Sequence, residues 1–550
     1  MDSSTAEDDA RDAKRARLTP SAGDMDLIGV LDDDVLLRIL SLVPDARDAA
    51  RTAALSRRWL RLWTRVPVLR FASRPLPMAI SAVDRCAALE QYVSLVDGVL
   101  SRRARSGCAA VETLSIAYTK DSPSLGAPHL QGLLPASVHA VQGWIRYAFQ
   151  HGVKSLALDM HLPERPKLIG GKNVDDDEES HKNLMVCLDD GLPSPVRLET
   201  MRLVLGGARL RPSADVKFAS LKDLSLERIK VADGDARLFA CLVSSRSCPN
   251  LQKLRIRRLQ FRSWSQEMRL EADMLSELWV EDTDLMSLDL RTPCLRVLHI
   301  DKCNIQVLGL SAPRLEQVAL LCRPTASPVR LLRVHGDLPC VQSLKLWMWS
   351  HHHYSFHGGE QNDSSVLLLK SCSLLKCLEV TLAGSMPGMR YEVYVDLIKD
   401  TVPHIPQITS LTVKVSEAFT RHNFGAGVAN LLTRFTNLRH LSVHLPSLFY
   451  ELDEGLDDLY CDDHPDHWTF YKISMVHLQE VELTGLTGVY CELRFMEAVL
   501  ASAKILGKVT IRFHKECCQH KGNMDAFQRL LLDEGMWTSR REEHMITCLK

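Results

Sequence analysis

The chain has 550 residues, 46% hydrophobic and 25% charged, enough apolar surface to offset the ordering entropy, so wholesale disorder is excluded. Lys plus Arg number 67 against 68 Asp plus Glu, a net charge of −1, so the basic excess of a dedicated nucleic-acid binder is missing. No apolar run reaches the roughly 18 residues of a membrane span, and the polar, acidic start is unlike a secretory signal. The 16 cysteines are scattered, mostly beside Leu or Val, which suits buried free thiols in a reducing compartment and predicts a nuclear or cytoplasmic protein.

Residues 1–23 hold Ser, Asp, Ala, Lys and Arg without apolar periodicity and are expected to be a disordered tail. Within it, Lys14, Arg15 and Arg17 form a small basic cluster, read as a solvated tail ahead of a nuclear signal. The first strong pattern follows Ile28. Asp32, Asp33 and Asp34 precede an apolar run of Val35, Leu36, Ile39, Leu40, Leu42 and Val43, and acidic residues suit the positive end of a helix. Pro44 ends that helix. A second helix is expected from about Asp48, with Ala49, Thr52, Leu55, Trp59 and Leu62 on one side and Arg57, Arg58 and Arg61 on the other. Two helices in about 35 residues cannot bury all of these side chains between themselves. Leu36, Leu40, Leu55 and Trp59 therefore form a face that either meets a partner or packs on the rest of the chain.

The stretch Leu31-Asp-Asp-Asp-Val-Leu-Leu-Arg-Ile-Leu-Ser-Leu-Val-Pro44, followed by Arg47 to Trp59 with the ending Leu-Ser-Arg-Arg-Trp and then Leu62-Trp63, closely resembles the F-box of plant F-box proteins. The resemblance covers about 28–68, which places the F-box at 24–68, and it departs from the family at Asp32, where Leu-Pro is usual. It implies binding to a Skp1-like adaptor and, through it, a cullin. The residues implicated are Leu31, Val35, Leu36, Ile39, Leu40, Leu42, Val43, Pro44, Leu55, Ser56 and Trp59. Such a joint agrees with the physics of an apolar helical face entering a groove.

Two helical stripes come next: Leu89, Val93, Val96 and Leu100 within 84–103, and Val141, Trp144, Ile145 and Ala148 within 138–151. Each leads into a short strand pattern, Val111-Leu114-Ile116 and Val153-Leu156-Leu158. That pattern (apolar, two variable, apolar, one variable, apolar) recurs from Leu198-Met201-Leu203 through Leu275-Leu278-Val280 and Leu375-Leu378-Val380 to Leu506-Val509-Ile511. Spacings of about 20 to 45 residues match an irregular leucine-rich repeat. Proline precedes several copies, at Pro249, Pro293 and Pro313, where it breaks the preceding segment. The predicted fold is therefore α/β: a small helical F-box, then an irregular leucine-rich-repeat solenoid with a parallel sheet over 69–470. Residues 471–550 resemble the FBD region of plant F-box proteins, on His477 to Gly488, Phe495 to Ala503 and Lys508 to Ile511. Strand, helix and strand are expected there, with Phe495, Val499 and Leu500 facing inward, as a cap on the array.

Three insertions interrupt the repeats: 163–193, with Gly170-Gly171 and an acidic run; 351–364, rich in His and Gly; and 451–467, strongly acidic. All are read as solvated loops. Phosphate-loop, zinc-protease and nucleophile-elbow motifs are missing. His351, His352, His353 and His357 lack zinc-site spacing, and so does the tight set His514, Cys517, Cys518 and His520, so no metal and no cofactor are expected. Asn362-Asp363-Ser364 is a glycosylation sequon only in a secreted protein.

The F-box and repeat resemblances together imply a non-catalytic substrate-recognition subunit of a Skp1–cullin–F-box ubiquitin ligase, holding a protein target on the repeats. A non-degradative scaffold and a metal-dependent enzyme using residues 514–520 are the competing readings. Arg257, Trp347 and Trp349, at outward positions of the strand triplets, are the expected target contacts, because Arg and aromatic side chains dominate interface hot spots. Neither nucleic acid nor membrane is expected as a partner.

Overall fold

The computed structural model describes residues 28, 30–73, 82–106, 110–118, 134–160, 185–188, 191–206, 208–213, 215–231, 236–261, 266–321, 331–350, 362–383, 398, 402–416, 424–446, 473–486, 490–514, 521–533, 538–542 and 545–549. The tail at 1–23, residues 351–361, the acidic segment 451–467, and Cys517, Cys518 and His520 lie outside the described residues.

The N-terminal module is built from three short helices: α1 (Asp33–Leu42), α2 (Ala46–Arg51) and α3 (Arg57–Leu62). The single second helix of the sequence reading is divided, because Ser56 takes an extended backbone and caps α3, its hydroxyl accepting the Trp59 N–H. Asp45 caps α2 by accepting the Arg47 N–H at 2.8 Å. Asp32 caps α1 in the same way, accepting the Val35 N–H at 2.9 Å. The residue that departs from the family's Leu-Pro start thus anchors the helix by hydrogen bonding, where proline would do so by rigidity.

Beyond this module the chain winds into one long sheet. Its parallel strands run in spatial order Val68–Ala72, Thr113–Tyr118, Ser155–Met160, Thr200–Val204, Asp223–Val231, Lys253–Gln260, Glu277–Glu281, Val297–Asp301, Gln317–Leu321, Ser343–Trp349, Cys377–Ala383, Ser410–Val415, His440–His444, Glu480–Leu486 and Lys508–Phe513. Each triplet residue is buried, and the middle ones align in an unbroken column: Leu254, Leu278, Leu298, Val318, Leu344, Leu378, Leu411, Leu441, Val481 and Val509. No single repeat encloses its own leucines. Each stacks on its neighbours, which makes the array one cooperative body.

Two features were hidden from sequence inspection. The first strand, with buried Val66, Leu69 and Phe71, is an additional copy of the triplet directly after the helical module, so the array starts without a linker. The second is a four-stranded parallel sheet on the opposite side, in the order Leu331–Val334, Asn304–Ser311, Asp284–Arg291 and Glu267–Glu271. Here the repeat shortens to 20 residues, as in the register Asp284 to Asn304, and the convex segment has no room for a helix. Pro293 and Pro313 lie two residues past the ends of convex strands, which stop at Arg291 and Ser311, as expected of chain breakers. Arg228, Arg258, Asp282 and Lys302 adopt positive φ near +53° where successive ledge strands turn toward this side.

Helices Ala82–Ser106 and Leu134–Gln150 cover the convex side of the first strands with Leu89, Val96, Leu100, Val141, Trp144, Ile145 and Ala148 in the core. Inside the segment marked as an insertion, Met185–Leu188 is a strand paired with Arg209–Pro212, its Val186 and Leu188 buried. At the far end, Phe495, Val499 and Leu500 of helix Tyr490–Ser502 are buried. The last parallel strand is then closed by two antiparallel strands, Met545–Leu549 against Lys508–Phe513 and Thr538–Glu542 outermost.

Candidate interaction surfaces

The helical module has its own small core, separate from that of the array. Leu36, Leu40, Ala49, Leu62 and Val66 form it, with Leu31, Leu37, Val43, Trp59 and Trp63 packed around. Leu36 and Leu40 are thus interior residues, which corrects their expected place on a partner-facing surface. The periodicity that put them on one stripe was right, but that stripe faces Leu62 and Val66. What remains outside is a second stripe at i, i+4 and i+7: Val35, Ile39 (43% exposed) and Leu42 (76% exposed). Leu55 is 69% exposed, and Leu60, Ile28 and Val30, which the sequence reading did not single out, are exposed as well. Of the other implicated residues, Pro44 and Ser56 are exposed, while Leu31, Val43 and Trp59 are partly buried.

The signature Leu-Ser-Arg-Arg-Trp acquires a mechanical meaning. Ser56 caps α3; Arg58 donates to Asp33 at 2.9 Å and to the Leu31 carbonyl; Trp59 packs on the small core. Arg65 adds a second contact to Asp33 at 3.4 Å. The module is also bolted to the array. Arg70 donates to the Ser41 carbonyl at 2.6 Å, buried Arg103 donates to the Val66 carbonyl at 2.7 Å, and Arg47 reaches the Ala72 carbonyl. The Tyr92 hydroxyl lies 3.0 Å from the carbonyls of both Phe71 and Ala117. Ala46 of α2 belongs to the large core.

The second surface is the ledge of the long sheet, where residues alternate with the buried leucines. One row in register is Arg255, Trp279, His299, Ala319, Lys345 and Glu379. Another contains Glu227, Arg257, Glu281 and Asp301. Arg257 is exposed and shared between Glu227 at 3.6 Å and Glu281 at 3.3 Å. Trp347 and Trp349 are also on the ledge side, edge to face with centroids 6.4 Å apart, but Trp347 is only 7% exposed and Trp349 is partly buried. Trp279 stacks on His299 at 4.4 Å. Glu379 sits between Lys345 at 2.8 Å and Lys414 at 2.6 Å. Burial by itself would raise its pKa, but the two ammonium groups outweigh it and hold the carboxyl below the usual range. The sequence pattern named Lys345 among the outward residues without revealing this triad, because its members lie on three strands.

Other chemistry noted in the sequence is placed as follows. Asn362 of the sequon is buried, its amide donating to the Trp349 carbonyl and accepting the Trp349 N–H, both at 2.9 Å. That side chain pins the end of a ledge strand and is closed to a glycan. His514 donates its backbone N–H to Leu486; its three companions lie outside the described residues. Among the described residues no group of three or more His, Cys, Asp and Glu is placed to hold a metal ion, and no helix is long and apolar enough to cross a membrane.

A short helical module with an open apolar stripe, fixed to an α/β repeat array with a mostly parallel sheet, defines the architectural class of this chain. No protein-family model matches it. Among the curated proteins it is similar to are the following three of Arabidopsis thaliana. The FBD-associated F-box protein At5g56370 is 34% identical over 135 residues, 24% of this chain and 26% of the relative. The F-box/FBD/LRR-repeat protein At4g26340 is 26% identical over 234 residues, 42% and 44% of the two chains. The F-box/LRR-repeat protein At3g03360 is 26% identical over 306 residues, 54% and 52%. The matched region thus spans between about a quarter and a half of these relatives. Several homologues of one kind, at modest identity, support a plant F-box protein with leucine-rich repeats and an FBD region.

Proposed function

We propose that this chain is the substrate-recognition subunit of a Skp1–cullin–F-box ubiquitin ligase. The observation that carries this reading is the open stripe of Val35, Ile39 and Leu42 on a module whose own core is already complete without them. Three large aliphatic side chains at helical spacing on a polar module are costly to leave in water, at roughly 1.5–3 kcal/mol for each one fully buried by a partner. A groove on a Skp1-like adaptor fits them. The array supplies the cargo surface, and the polar ties at Arg70, Arg103 and Arg47 keep the two surfaces in fixed relation. Fixed geometry raises the effective concentration of a cargo lysine near a loaded ubiquitin carrier, which is all the catalysis this subunit needs to contribute. We place it in the nucleus or cytoplasm, where that machinery operates and thiols stay reduced.

Reconstitution tests the reading. Purified chain mixed with a recombinant plant Skp1-like adaptor and a cullin is expected to co-elute as a three-protein complex. Adaptor without cullin would indicate a non-degradative scaffold, and no adaptor at all would remove the F-box reading.

A further inference from the structure

The cations of strand Lys253–Gln260 are matched with carboxylates on or just past the next strand, with one exception. Lys253 meets Glu277 at 2.8 Å, Arg257 meets Glu281 at 3.3 Å, and Arg258 meets Asp282 at 2.8 Å. The exception is Arg255. Its neighbours in register are Ser225 on one side and Trp279 on the other. It is exposed, and among the described residues no carboxylate pairs with it. A cation held on a rigid sheet without its own counter-charge keeps its forked donors for a ligand, and a carboxylate matches that fork.

The residues that continue the row give this cation a setting. Trp279 stacks on His299 with ring centroids 4.4 Å apart and planes 29° apart, and both rings are partly buried. Next comes Ala319, 6% exposed, and then Lys345, whose ammonium is held by Glu379. The row thus runs from an exposed guanidinium, past two flat rings, to a small side chain that keeps the surface low. Arg255 to Ala319 is three strand intervals, about 14 Å. Asp301 follows His299 by two residues on the same strand, so negative charge is disfavoured at the rings and favoured at Arg255. Glu227 and Glu281 are held by Arg257.

We propose that Arg255 and the Trp279–His299 pair read an extended protein segment that carries an Asp or Glu and, two residues away, a large apolar side chain. This deepens the preceding reading, since it rests on the array being the cargo surface. The carboxylate accepts from the Arg255 guanidinium, and the apolar side chain lies against the rings. Side chains two apart on an extended segment point the same way about 7 Å from each other, between one and two strand intervals, so one segment reaches both. Nucleic acid is a poor match, because one uncompensated cation cannot answer a run of phosphates.

Selection from a random peptide display library on the full-length chain tests the proposal. Peptides with Asp or Glu and a large apolar residue two positions away are expected to be enriched. In a selected peptide, replacing the acid by its amide should weaken binding about tenfold, and Arg255→Gln in the chain should do the same, the loss of one charge-assisted hydrogen bond. Arg255→Lys keeps the charge without the fork and should recover part of that loss. Arg255→Glu should reverse the preference, so that a second selection enriches Lys or Arg in place of the acid. Arg255 is exposed and unpaired, so these variants should melt like wild type. No enrichment, enrichment without the acidic and apolar pair, or recovery of the same acidic peptides by the Arg255→Glu chain would overturn the proposal. Adaptor binding, measured on the same preparations, keeps the two readings apart. If it is lost while acidic peptides are selected, only the ligase reading falls; if it is retained without selection, only the peptide reading falls.

Discussion

Arg58 and Asp33, 25 residues apart in the chain, meet at 2.9 Å and join the start of α1 to the start of α3. The same guanidinium donates to the Leu31 carbonyl, so one side chain holds both the helix and its lead-in. Arg58→Ala is expected to loosen the helical module by about 1 kcal/mol, most of it from the carbonyl contact, because the ion pair is partly exposed and screened. Hydrogen exchange should accelerate at α1 amides and stay unchanged in the array.

Adjacent residues of α1 should behave in opposite ways. Leu40, 2% exposed, is core, and Leu40→Asp is expected to unfold the module. Ile39→Asp with Leu42→Asp changes only exposed positions and should move stability by no more than about 1 kcal/mol. On the proposed function, this double variant still melts like wild type but fails to retain a Skp1-like adaptor in a pull-down. Adaptor capture at wild-type level by a folded double variant would contradict the assignment of that face.

Gly485 has φ of +80°, and a Cβ built there would lie 2.2 Å from the Leu445 carbonyl oxygen. The register with the final parallel strand shifts at this point, between Thr484 and Leu486. Gly485→Ala meets rigid backbone and an unfavourable conformation together, so a loss of at least about 2 kcal/mol is expected, read as a lowered midpoint in chemical denaturation.

Stability should fall on mild acidification. Burial lowers the pKa of His299, which stacks on Trp279, and of His444, which lies between Ser442 and Thr484. The unfolded chain then takes up protons near the ordinary value of 6.5 while the folded chain does not. Stability contributed by the neutral rings is complete above 6.5 and is lost as pH falls toward the lower folded values. Denaturation midpoints should therefore be lower at pH 5.5 than at 7.5, and His444→Gln should flatten that difference.

Thiol reactivity should follow burial. Cys248 and Cys372 are buried, which pushes both thiols up to about 12, and Cys377 is exposed. Brief alkylation of native protein at pH 8, followed by mass spectrometry, is expected to mark Cys377 and spare Cys248 and Cys372.

The repeat body was legible because its rule is local. A residue at i, i+3 and i+5 of every copy had to be apolar for one strand to face a shared core, and each such residue is buried. Helices Ala82–Ser106 and Leu134–Gln150, and the buried face of Tyr490–Ser502, were legible for the same reason. The first strand escaped notice because Val66 adjoins the helical motif and also belongs to its core. The convex sheet escaped because its strands become stable only when neighbouring repeats align at 20-residue intervals.

From the amino-acid order alone came the class of fold, the helical motif and most of the stacked units, since all three depend on apolar spacing along a single segment. Which of those apolar residues stay open was decided only in three dimensions. Ile39 and Leu40 are neighbours of similar hydrophobicity, and the positions of Leu62 and Val66 make one interior and the other exterior. The same holds on the ledge, where Trp279 stacks on His299 of the neighbouring strand, a contact that only the parallel register creates. Burial and hydrogen bonding are properties of neighbours in space, and the chain names those neighbours only after it has folded.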